Sequence, residues 1–382
     1  MLLRELFFRE NVEAAKKQLG RAFNHPEHFV FFHGAAGTLE ALQHFEEVSG
    51  EQPGQTSLRM KWDGNPQIYW GREQAGGPLI LAGHNGWSRG AKSANPEEVA
   101  DFIANKSGNP KTPAEQQERQ RFAQEFASLY PIFDAATPKD FVGFVYADGL
   151  FLQRPQLDQQ RIYNFHPNPK SKTEYHVSAD SELGRRIAQA QVMVTAHAFF
   201  PQFGMPDHAQ KPIDDFSQFN SNPKLIVQGP VYNSQAPQFN TAPIKELAKY
   251  VHTHAARIDG FLNSLPATDK EGIFYKFANQ MSKGGNFDGV NNNVFFQWMA
   301  NNKISANKQA HIQQMAQAHP GALDAVWHLM KKIRHMKDEM HGALQTQPRG
   351  EVWDTHGEGN VRYAQGHHKF GNVKFVPTSW TP

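Results

Sequence analysis

The apolar positions of this chain change period along its length. Over 10–23, Val12, Ala15, Leu19 and Phe23 recur at helical spacing, and 37–48 repeats the pattern with Thr38 as an N-cap, so two short helices are predicted ahead of the first strand. The period then drops to two. Segments 57–64, 67–71 and 78–83 alternate between apolar and polar, punctuated by Asn65-Pro66 and Ala75-Gly76-Gly77, which predicts an antiparallel β unit with Lys61 at or just after a strand end. Helical spacing returns over 96–130, opened by the acidic turn Pro96-Glu97-Glu98. Further strands are predicted at 141–146, 162–165, 173–177 and 191–197.

Residues 205–240 are rich in Pro, Asn, Gln and Ser and predict an irregular connection. Beyond them, Ile244, Leu247, Val251, Ala255, Ile258 and Leu262 form one apolar stripe, and Ala322, Val326, Leu329, Ile333 and Met336 another, the pattern of helices packing on a core. Short strands are predicted at 360–363 and 372–376. The whole reads as an α+β fold in four segments: a helical lead-in over 1–50, a β-rich core over 51–204, a connection and helical insertion over 205–348, and completion of the core over 349–382.

Composition narrows the chemistry. A chain of 382 residues can bury a sizeable core without staples. It has no cysteine, which removes disulfides, thiol nucleophiles, thiolate zinc sites and iron-sulfur clusters together. Charges break up the first ten residues, so no signal peptide is expected, and no window has the apolar length of a membrane span. A soluble, cytoplasmic protein is the expectation. With 39 basic against 37 acidic residues, any nucleic-acid surface has to be a local patch.

One short run suggests covalent chemistry. In Lys61-Trp62-Asp63-Gly64 a lysine at a strand end precedes a turn, and Gly64 allows the backbone to pass close to a ligand. A lysine amine attacks the α-phosphate of a nucleoside triphosphate only when it is at least partly neutral. On its own the tetrapeptide reads better as a surface lysine before a β-turn. Its company raises the odds. Tyr146-Ala147-Asp148-Gly149-Leu150-Phe151 follows a strand, an apolar strand ends at His197, and His356-Gly357-Glu358-Gly359-Asn360-Val361 precedes Val373-Lys374-Phe375-Val376.

In that order these pieces resemble motifs I, III, IIIa, IV and V of the covalent nucleotidyltransferases: DNA ligases, RNA ligases and capping enzymes. More closely, the chain resembles an uncharacterised bacteriophage protein family with a ligase-like core, through His25-Pro26-Glu27-His28, the Lys61 motif, Tyr163-Asn164-Phe165-His166-Pro167-Asn168-Pro169, the region 177–187 and the helix around Ile258. The resemblance implies a core of two antiparallel sheets with flanking helices. It implies ATP and Mg2+ as cofactors, and nucleic-acid ends, DNA or RNA, as partners. Lys61 would carry the nucleotide and Lys374 would contact the α-phosphate. Glu358 and Asp148 would hold the metal, while Asp63, Gly64, Arg89, Asp148, His166, Glu358 and Lys374 would surround the nucleotide.

The chain also departs from the pattern. Asp148 stands where glutamate is usual, and only eight residues follow Lys374, so no C-terminal OB-fold or motif VI is expected. Glu271-Gly272-Ile273-Phe274-Tyr275-Lys276 imitates motif IV as a rival to Glu358, although an acidic residue opening a helix has a simpler explanation in the helix dipole. His176, His197, His356, His367 and His368 lack zinc spacing and read as structural or surface residues, with His166 the exception because the resemblance covers it. Lys331-Lys332-Ile333-Arg334-His335-Met336-Lys337 reads as a solvated face or a phosphate-binding patch. Two other functions stay open: nucleotidylation of a protein or small molecule, and a non-catalytic phage assembly or nucleic-acid-binding protein on the same scaffold.

Overall fold

A computed structural model describes residues 25–50, 57–167, 173–206, 209–211, 215–233, 237–346, 351–355, 360–362, 369–370 and 373–376. The helix expected over 10–23, Glu358, and the histidines His356, His367 and His368 lie outside them. The described chain is α+β. Its strands are β1 (Leu58–Lys61), β2 (Gln67–Arg72), β3 (Ile80–Gly83), β4 (Gly143–Phe151), β5 (Ile162–Phe165) and β6 (Glu174–Ser178). They continue with β7 (Val192–Phe200), β8 (Leu225–Gln228), β9 (Val231–Asn233), β10 (Val352–Thr355), β11 (Asn360–Arg362) and β12 (Val373–Phe375). The chain forms two compact units, one of residues 1–60, 233–348 and 359–382, the other of 61–232 and 349–358. No helix among the described residues is long and apolar enough to cross a membrane.

The first unit is mainly helical. Both predicted stripes lie on helices, Ala242–Asn263 and Ala322–Thr346, and their apolar faces join Phe29, Phe31, Phe45, Phe274, Phe295 and Phe375 in one core. The helix Phe29–Gly50 is broken at Gly34, whose φ of 63° and ψ of −146° are not helical. A Cβ at Gly34 would collide with the Asp259 carboxylate. That carboxylate accepts the Ala35 N–H at 2.8 Å and so caps the second half of the helix from 224 residues away, an interaction worth about 1 kcal/mol. Thr38 is therefore not an N-cap. It lies one turn inside, its hydroxyl donating to Gly34 O at 2.7 Å.

The basic run 331–337 turns largely inward. Lys337 is buried against Glu27 in an ion pair, and Arg334 is buried with its guanidinium 4.4 Å from the Phe287 ring centroid. Lys331 donates to Val290 O at 3.1 Å. Spacing of three residues along Ala322–Thr346 sets these side chains on the apolar stripe's side, where their stems pack, Lys337 pairs with Glu27 and Arg334 donates to the Ser282 hydroxyl. In the same unit β11 lies between β1 and β12, with Arg59 opposite Val361 and Val361 opposite Lys374.

The second unit is built on a five-stranded sheet in the order β3-β2-β4-β7-β8. All its pairings are antiparallel except β7 with β8. β8 falls within the stretch read as irregular. Leu225-Ile226-Val227 is a short continuous apolar run, buried on both faces, so it shows no alternation to betray a strand. One face of the sheet, with Ile68, Trp70, Val145, Ala147 and Val194, packs under helices from 96–136. A separate three-stranded sheet, β10-β6-β5, packs its Tyr175, Val177 and Phe165 with Trp62, Met193 and Ile226. The described strands thus make three sheets, where the resemblance implied two.

Candidate active site

Lys61 is the last residue of β1. The chain then turns tightly, and each residue of the turn is fixed. Trp62 is buried, its ring 4.7 Å from Tyr175 and 4.3 Å from Tyr232, and its N–H donates to Pro230 O at 3.1 Å. Asp63 N–H donates to the Tyr175 hydroxyl at 2.6 Å. Asn65 N–H donates to Gly149 O, and Gly149 N–H returns to Pro66 O, both at 2.8 Å. Between these anchors Gly64 presses on β4: a Cβ there would stand 2.7 Å from Gly149 O and 2.8 Å from the Asp148 Cβ.

The turn that follows Lys61 is thereby clamped onto Asp148-Gly149, over eighty positions away in sequence. Because the Gly64 contact is partly to backbone, Gly64→Ala should force β4 and the turn apart at a cost of about 1–3 kcal/mol. A lower denaturant midpoint with unchanged slope would show it, whereas wild-type stability would mean the clamp is loose.

Asp148 sits on the sheet face opposite the helices, among polar neighbours. The Tyr146 hydroxyl donates to its Oδ1 at 3.2 Å, and the Gln67 amide donates to that hydroxyl at 2.9 Å. His197 Nε2 lies 2.9 Å from Oδ2. Burial, reinforced by the Asp148 charge, raises the Tyr146 hydroxyl above the ordinary range, so it stays a donor at neutral pH. His197 alternates onto the same face as Thr195, which pairs with Asp148. A register shift falls beside it: Tyr146 pairs with Ala198 and Ala147 with Ala196, which leaves His197 as the extra residue of a bulge in β7.

Other sequence-assigned residues lie elsewhere. Arg89 follows the short helix His84–Ser88 and donates to Lys106 O at 2.6 Å on an exposed surface of the second unit. His166 is exposed and 3.2 Å from Glu174; Glu174 alternates with the inward Tyr175 on β6, so the pair marks the outer face of that sheet. Lys374 is central in β12, in the first unit, and Glu271 lies in the π-helical turn Lys270–Tyr275 of that unit, not before a strand. The second unit therefore sets the turn that follows Lys61, at Gly64, against Asp148. Gln67, Tyr146 and His197 were not assigned to the site from sequence. Their signal was faint: Tyr146 and Asp148 are two apart on one strand face, and alternation gives His197 a face but not the strand it pairs with.

Among the described residues no group of three His, Asp or Glu side chains stands ready to hold a metal ion. Compared with family models, curated proteins and solved structures, the chain matches none.

Proposed function

We propose that the protein is an ATP-dependent nucleotidyltransferase in which Lys61 forms a covalent lysyl-AMP, with nucleic-acid ends as acceptor. The observation that carries this reading is the clamp of the Lys61-Trp62-Asp63-Gly64 turn onto Asp148-Gly149. Two short motifs, each weak alone, are held together by contacts that tolerate no side chain at Gly64. A lysine at a rigid strand end, beside a backbone stripped of bulk, suits attack on an α-phosphate: the amine forms the N–P bond and pyrophosphate leaves. The ligase resemblance assigns Lys374 to the α-phosphate and Glu358 to the divalent ion. When bound, Mg2+ would neutralise charge on the triphosphate.

The test is direct. Pure protein incubated with α-labelled ATP and Mg2+ should acquire label that is acid-labile and base-stable, as expected of a phosphoramidate. Nicked duplex or single-stranded RNA should then discharge it. Label that forms but survives every nucleic-acid end would move the acceptor to a protein or small molecule. Absence of label, with GTP as with ATP, would remove the enzymatic reading and leave a scaffold protein.

A further inference from the structure

The reading above, taken from motif resemblance, gives Asp148 to the metal. Its surroundings argue otherwise. Both carboxylate oxygens are engaged by neighbouring side chains, Oδ1 by the Tyr146 hydroxyl at 3.2 Å and Oδ2 by His197 Nε2 at 2.9 Å. Tyr146 is itself held by the Gln67 amide at 2.9 Å. Since a carboxylate only accepts, the Oδ2 contact requires the proton of His197 on Nε2, which in the neutral imidazole leaves Nδ1 with its lone pair. Nδ1 makes no hydrogen bond with any described residue. The His197 side chain keeps 16% of its surface exposed, so that lone pair is not sealed in the core. Alternation brings it there: Val192, Val194 and Ala196 face the helices, so His197, like Thr195 opposite Asp148, faces the other way.

We propose that Asp148 is a positioning carboxylate and not a metal ligand: together with Tyr146 it holds the bulged His197 with Nδ1 outward, as acceptor for a hydrogen-bond donor of the bound nucleotide. This rests on the nucleotidyltransferase reading and assigns that site a further ligand-binding residue, His197. Asp148 acts through it, much as second-layer carboxylates fix histidines in other sites. Asp is sufficient here in place of the family's usual Glu because its two partners come to it from its own strand and the adjacent one.

Two measurements on the full chain test the assignment. In the first, histidine is labelled with 15N and no nucleotide is present. The imidazole correlation spectrum should contain a His197 pattern of the Nε2–H tautomer, identified by its loss in His197→Gln. Asp148→Asn should convert that pattern to a tautomer mixture, and Mg2+ alone should leave the wild-type pattern unmoved. A wild-type Nδ1–H tautomer, or displacement of the pattern by Mg2+ alone, would overturn the proposal.

In the second, lysyl-nucleotide formation from α-labelled ATP is followed across ATP and Mg2+ concentrations. Asp148→Asn and His197→Gln should each slow labelling roughly 10–100-fold with the Mg2+ half-saturation unchanged. The double variant should be no slower than the worse single one, because the two residues act as one unit. Labelled wild type whose Asp148→Asn variant shifts only the Mg2+ half-saturation overturns the positioning role by itself. A wild type that takes no label overturns the nucleotidyltransferase reading, and the role of His197 toward a nucleotide goes with it.

Discussion

Lys61→Ala and Lys61→Arg are expected to take up no label from α-labelled ATP, a loss on the order of 10³-fold or more, limited by detection. Alanine removes the proposed nucleophile. Arginine is the sharper probe, because it keeps the charge and most of the length but cannot lose its proton at any ordinary pH, so it cannot attack phosphorus. Neither change should disturb the fold much. Lys61 is only partly buried at the end of β1, while the turn is anchored by Trp62, Asp63 N–H, Gly64 and Asn65, none of which is altered. Denaturant midpoints within about 0.5 kcal/mol of wild type should confirm that. Equal label on wild type and Lys61→Ala would place the adduct on another residue.

A second large effect is expected from acid. In the first unit burial holds three histidines neutral, lowering His25 to about 3 and His33 and His341 to about 4, from 6.5. Nearby lysine charges push in the same direction. Below pH 6.5 the unfolded chain takes up protons that the folded unit refuses, so stability falls as pH falls toward 4, by about 1.4 kcal/mol per pH unit for each histidine. Together the three approach about 4 kcal/mol per unit. Glu27 adds to this at lower pH: burial raises its carboxyl, but Lys337 and the neighbouring histidines outweigh that and hold it well below its ordinary range, so its contribution is lost as the pH drops below about 4.5.

The second unit carries the opposite sign. On β10, burial raises Asp354 to about 7, and its Oδ2 has no hydrogen-bond partner among the described residues. A raised carboxyl penalises the fold as pH climbs from about 4 to 7, so acidification relieves it. Amide hydrogen exchange corrected for intrinsic rate should accordingly lose protection in the first unit between pH 7 and pH 5 while the second unit keeps its own. Parallel loss in both units would refute the assignment. His341→Gln retains a donor for Phe375 O, which His341 Nε2 contacts at 2.9 Å, and should flatten the slope by about 1.4 kcal/mol per pH unit.

Elements with strong period and clear punctuation were legible in advance. The two long helical stripes lie on helices, and the strand at 162–165 has the expected bounds. Boundaries elsewhere moved by a few residues, as for β4, expected at 141–146 and found at Gly143–Phe151. Misreadings share one cause. Thr38 looks like a cap because the sequence does not reveal that Asp259 fills that role; β8 looks irregular because its neighbours bury both faces; 331–337 looks solvated because its buried partner, Glu27, is some three hundred residues away.

From the sequence alone come the α+β class and the placement of Lys61 at a strand end. Both are local, set by side-chain period over a few residues; the need for glycine after Asp63 is not, because what it makes room for is Asp148-Gly149 on β4. Tertiary structure decided which residues share the site. Trp62 packs against both Tyr175 and Tyr232 at the start of the turn, and the pairing of β7 with β4 sets His197 beside Asp148. Neither arrangement has a local signature, because each depends on packing between strands far apart in the chain, where burial and register, not propensity, choose the side a residue faces.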